Sequence, residues 1–144
     1  KKAAAEKRTR KPGLTSINKG DVLLASTGDG TLGKACVFDG DMPAVADAHV
    51  TVIRPDPRVV DSTYLADYLR CGFGQDQIQR LFTGSTGLIE LTPEHVRQVV
   101  VELPATIYEQ RQMSADLRAD ETRGVAEANR AMSSLTEARA RFHR

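Results

Sequence analysis

The sequence has no tryptophan, and its aromatic residues amount to only 5%. That argues against a binder of single-stranded nucleic acid, which needs rings on which bases stack. Its two cysteines, Cys36 and Cys71, are far apart and form no Cys-x-x-Cys pair. They read as reduced thiols, and no metal site is expected. His49, His95 and His143 are equally scattered. No apolar run approaches the roughly 20 residues of a membrane span. No apolar stretch follows the basic start either, so neither an anchor nor a signal peptide is expected. These absences lead us to expect a soluble, cytoplasmic protein. The chain opens on Lys1 rather than Met, as expected of a fragment or a trimmed chain.

Charge of one sign is missing overall, but not locally. The net charge is +1, yet residues 1–11, "KKAAAEKRTRK", set six basic residues against Glu6. That arm carries +5 and leaves −4 for the rest. It reads as a linker, with phosphate contact as the alternative. Any nucleic-acid binding by the body of the chain must then use a local patch.

What is present first suggests a nucleotide site. In "GDVLLASTGDGTLGKACVFDGD", residues 20–41, Gly28, Gly30 and Gly33 have GxGxxG spacing, and Lys34 follows. A dinucleotide fingerprint needs a strand before the glycines and a helix after them. Here "KACVF" follows, a short apolar run interrupted soon after by Gly40. A phosphate loop needs a wider glycine spacing and a hydroxyl after the lysine, but Ala35 stands there. The unit therefore reads as a glycine-rich β-hairpin whose tip carries Thr27, Asp29, Thr31 and Lys34.

Further along, "SINKGDVLLAS" reads as a turn feeding the first strand, and "DGDMPAVAD" as a loop. "AHVTVIRP" alternates and is β-branched, so a strand is expected to end before Pro55. Asp61 or Ser62 can cap a helix over "TYLADYLRC", and Gly72 can supply its left-handed stop. A second short helix, "QDQIQRLF", leads into "TGSTG", a turn rich in hydroxyls and glycine. "LIEL" reads as a brief strand. Thr92 caps and Pro93 opens one helical turn through Arg97. "VVVELP" reads as a buried strand closed by Pro104.

From Ala105 on there is no proline, and Gly124 is the lone glycine. The run is rich in good helix formers, and one long helix is expected. Ile107, Ser114, Glu121, Ala128, Leu135 and Phe142 form one heptad row. Gln110, Leu117, Gly124, Ala131 and Ala138 form a second, mostly small row. Small residues let backbones approach, and a helix this long needs a partner. We therefore expect Ile107, Leu117, Gly124, Ala128, Ala131, Leu135, Ala138 and Phe142 to line a helix-pairing face. The fold class expected is α+β. It comprises a basic arm (1–13), a β-rich domain with short helices (14–104) and a long coiled-coil-type helix (105–144).

The order of these pieces resembles the DNA-specificity subunit of type I restriction–modification systems, from about Lys19 to about Arg141. The resemblance rests on "GDVLLASTGDGTLGKACVF", on "AHVTVIRPDPR", and above all on "YLADYLRCGFGQDQIQRLFTGSTGLIELTPEHVRQVVVELPATIYEQRQM". It implies a target-recognition domain followed by a spacer helix. Two such units usually share one chain in that family. Their helices pair antiparallel, each domain reads half of a split site, and adenine-methyltransferase subunits dock alongside. This sequence has one unit. A homodimer of half-subunits, a shortened two-unit subunit, or the specificity end of a fused N6-adenine methyltransferase all remain open.

A duplex reader needs polar groups on rigid turns and basic groups for phosphates. The residues offered are Thr27, Asp29, Thr31 and Lys34 at the hairpin tip, with Thr83, Ser85, Thr86 and Arg80 at the second turn. Asn18 and Lys19 are further phosphate candidates. The rival reading is an adenine methyltransferase in its own right. It would need a cofactor-binding βαβ unit and an Asn/Asp-Pro-Pro-aromatic motif, and the sequence offers neither. No cofactor and no catalytic residue are therefore expected. A third reading is a coiled-coil adaptor that binds protein.

Overall fold

The glycine-rich stretch forms an antiparallel hairpin rather than a strand-to-helix turn. The computed structural model describes residues 13–82 and 89–142. The strands are β1 (Thr15–Ile17), β2 (Val22–Ala25), β3 (Ala35–Val37), β4 (Ala44–Ala46) and β5 (Val50–Ile53). The helices are α1 (Ser62–Arg70), α2 (Gly72–Leu81), α3 (Pro93–Val96) and α4 (Ile107–Phe142). The fold is α+β, and the chain divides into two compact units between Leu103 and Pro104.

In the first unit β2 is the central strand of the order β3-β2-β5, antiparallel to both neighbours. Its alternation does the sorting: Val22 and Leu24 are fully buried, while Leu23 and Ala25 are half-buried. α1 covers that face with Leu65, Ala66 and Leu69, and Ile78, Leu91 and Leu32 complete the core. Burying a side chain such as Leu69 contributes about 1.5–3 kcal/mol. A second sheet pairs β1 with β4. Both were read from sequence as turn and loop. Three residues with mixed polarity carry no legible period, and their pairing is long-range.

The helix signals are local. Asp61 caps α1 by accepting from the N–H groups of Thr63 and Tyr64. Gly72, with φ of 54°, makes the bend between α1 and α2. Gly74 is buried against the Tyr68 carbonyl, with no room for a Cβ. At α3, Thr92 accepts from the His95 N–H while His95 Nδ1 accepts from the Thr92 N–H.

"VVVELP" is not a strand. The segment joins no sheet, because side chains from α1 and α2 take its backbone groups. Gln77 donates to the Val100 carbonyl at 2.9 Å and accepts from the Val100 N–H at 2.9 Å. The Tyr68 hydroxyl donates to the same carbonyl, and the Tyr64 hydroxyl donates to Glu102 O at 2.6 Å. Burial raises the Tyr64 phenol above its usual range, helped by Tyr68 and Glu102. Of "LIEL", Glu90 makes a single bridge to Thr27.

One buried charge pins the first unit together. Asp21 accepts from Arg54 Nε and Nη2 at 2.8 and 2.7 Å, and from the Asn18 N–H at 2.7 Å. The Arg54 guanidinium holds the Asp21 carboxyl below the usual carboxylate range, against the opposing effect of burial. The turn before β2 is thereby tied to the end of β5.

The second unit is α4. Thr106 and Glu109 form a reciprocal cap: Thr106 Oγ1 accepts from the Glu109 N–H, and Glu109 Oε2 accepts from the Thr106 N–H. That is the Thr-x-x-Glu capping box. It fixes the helix start. None of the described helices is long and apolar enough to cross a membrane.

Candidate functional site

The hairpin tip is a tight, self-bonded turn. The N–H groups of Thr31 and Leu32 donate to Gly28 O at 3.2 and 3.0 Å, and Gly33 N–H donates to Ala25 O at 2.9 Å. Gly28, Gly30 and Gly33 all have positive φ. The glycine spacing serves this turn. The Thr31 hydroxyl donates inward to Thr27 O at 2.8 Å, and the Thr27 hydroxyl bonds to His49 Nδ1 at 2.8 Å. Two of the hydroxyls expected to face a ligand therefore help to hold the turn. Asp29 and Lys34 are exposed, and their side chains make no hydrogen bond or ion pair among the described residues.

A polar cleft of about 480 Å³ opens beside this tip. Asp29, Gly30, Leu32 and Lys34 form one wall, and Arg70, Gln75 and Gln79 of α1 and α2 form the other. Phe82 and Ile89 complete it. Two backbone links bring the pieces together: the Thr27–Glu90 bridge and the Leu91 N–H donating to Ser26 O at 2.8 Å. The tip and the two flanks of the second turn thus meet at one place. Thr83, Ser85 and Thr86 lie outside the described residues. Arg80 is exposed on α2, one position further round the helix than Gln79.

Asn18 and Lys19 are not part of this cleft. They sit in the turn before β2, and the tip follows β2, so the strand separates them. Lys19 is also paired with Asp41 at 2.7 Å across an exposed surface. Sequence reasoning missed Arg70, Gln75, Gln79, Phe82 and Ile89. The helical spacing of Gln75 and Gln79 was a signal, but only the fold turns that face toward the tip. Arg70 is ion-paired to Asp67 at 2.9 Å. A second groove, about 290 Å³, is apolar, with Leu65, Leu69, Val96 and Val101 in its lining. It offers no charged side chain for a phosphate. Among the described residues no cluster of His, Cys, Asp and Glu could hold a metal ion.

On α4 the geometry redraws the stripe expected to pair. A strict seven-residue row drifts about 20° per heptad around a regular helix. Steps of three and four with one extra step of four hold a line closer to one face: Ile107, Gln110, Ser114, Leu117, Glu121, Val125, Ala128, Met132, Leu135, Arg139, Phe142. Two successive steps of four, Leu117 to Glu121 to Val125, form a stutter. Val125, Met132, Leu135 and Phe142 are all more than half exposed on this line. Val125 and Met132 were not expected there. Gly124, Ala131 and Ala138 fall progressively to its flank.

The chain matches no protein-family model. No curated protein matches it significantly.

Proposed function

We propose that the chain is a sequence-specific duplex-DNA recognition module of the type I specificity-subunit kind. It acts as a homodimer through α4 and positions methyltransferase subunits on its site, in the cytoplasm. It is non-catalytic and needs no cofactor of its own. One observation carries the reading: the hairpin tip, α2 and both flanks of the second turn converge on one polar cleft. Base readout requires this, namely polar groups held on a rigid frame. Lys34 and Arg80 supply charge for phosphates, and the basic arm adds non-specific attraction. Asp29 can accept from a base amino group.

A two-fold dimer would present two identical clefts, so its site should contain two identical halves. The test is selection of the full chain on a pool of random duplexes. Enrichment of a sequence with two like halves is expected. A pool that stays random contradicts the reading and favours a protein-binding adaptor.

A further inference from the structure

We propose, building on the duplex-DNA reading, that Gln75 and Gln79 of α2 are the groups that read an A·T pair in the cleft. α2 carries three glutamines whose surroundings differ. Gln77 is structural, because both its amide atoms bond to the Val100 backbone. Gln75 and Gln79, one turn apart, line the cleft instead. Gln75 Oε1 is buried and has no hydrogen-bond partner among the described residues. A native buried acceptor without a partner asks for an explanation, and a ligand toward which the side chain turns out of its packing is one. In the free cleft the amide packs closely on Gly33. A Cβ there would meet Gln75 Oε1 at 2.9 Å and Nε2 at 3.0 Å. Gln79 is exposed at the same cleft, and its side chain hydrogen-bonds to none of the described residues.

A glutamine amide offers a donor beside an acceptor. In the major groove that pair matches the N7 acceptor and N6 amino donor of adenine. Guanine presents two acceptors there and cannot satisfy both. Asp29 across the cleft adds a second acceptor for an amino group. Phe82 and Ile89 supply apolar contact suited to the methyl group of the paired thymine. Thr27 and Thr31 already bond within the tip and its His49 neighbour. Of the other polar side chains lining the cleft, Arg70 is paired with Asp67 and Lys34 is assigned to a phosphate, which leaves the glutamines and Asp29 to face a base.

The experiment measures fluorescence anisotropy of the full chain on its selected duplex. In a parallel panel, each adenine in turn is replaced by purine without its 6-amino group. The wild type is expected to lose roughly 5- to 150-fold at one adenine per half-site. Gln79→Ala should lose a similar factor on the unmodified duplex, become indifferent to the modification at that adenine, and keep its affinity for random duplexes. Gln75→Glu keeps the packing over Gly33 and should behave likewise, while exposed Gln79 carries the test if Gln75→Glu folds poorly. Glutamine variants that keep the wild-type sensitivity at every adenine overturn this assignment and leave the DNA reading standing. Equal losses on selected and random duplexes overturn it too. A wild type that prefers no duplex overturns the DNA reading itself, and this assignment with it.

Discussion

In the first unit, Val22, Leu24, Leu69, Ile78 and Leu91 are at least 98% buried. On α4 every residue from Arg118 to Phe142 is exposed. The first unit owes its shape to its own core, and its polar cleft can therefore be held in a fixed geometry. The helix has a cap and good propensity, but an isolated helix gains little stability from propensity alone. In the proposed dimer this exposed stripe is what a second copy covers. The proposed recognition and the proposed assembly thus rest on parts stabilised in different ways, and each should break without the other.

The largest effect expected is on association. Val125→Asp with Leu135→Asp should convert a dimer at micromolar concentration into a monomer by sedimentation equilibrium. Gly124→Asp and Ala138→Asp, at the flank of the stripe, should weaken it less. A monomeric wild type, or equal effects of the two pairs, would contradict the assignment. On the other side, Leu69→Ala should cost about 2–5 kcal/mol in urea unfolding of the first unit. The dimer mass should stay unchanged. If Leu69→Ala dissociates the dimer as well, the two parts are coupled and the comparison fails.

A smaller effect concerns Asp21. Arg54 lowers its folded-state pKa below the unfolded value, so the folded state favours the charged form. That stability is fully present above the ordinary carboxylate pKa of about 3.9 and fades as pH falls through the lowered value. Asp21→Asn should cost about 1–3 kcal/mol at neutral pH. It should also flatten the acid limb of the stability profile measured by thermal unfolding. An unchanged acid limb would mean that other carboxylates set it.

Much of the first unit was legible because its signals are local. Asp61, Gly72 and the Thr92–Pro93 pair mark helix ends whatever the fold. The hairpin was legible because "KACVF" is too short and apolar for a helix opening at the glycines. "VVVELP" misled because its composition matches a central strand. Its backbone partners are side chains of Tyr64, Tyr68 and Gln77, which no period in the segment reveals. β1 and β4 are short and find each other across 30 residues or so of chain. The cleft was half legible: Asp29 and Lys34 stand out on a turn, whereas Gln75 and Gln79 resemble any exposed helix residues until the fold turns them to the tip. The α4 stripe was read in strict heptads. A regular helix departs from them, so Val125 and Met132 were passed over.

The most direct test of the central claim uses the selected duplex and a random one in an anisotropy salt series, with Asp29→Ala and Lys34→Ala. Neither change should move folding stability by more than about 0.5 kcal/mol, since both side chains are exposed. Lys34→Ala should weaken binding to both duplexes and lower the salt slope by about one phosphate contact. Asp29→Ala should cost roughly 1–3 kcal/mol on the selected duplex and almost nothing on the random one. Equal losses on the two duplexes for Asp29→Ala would make the tip a structural turn and contradict the account.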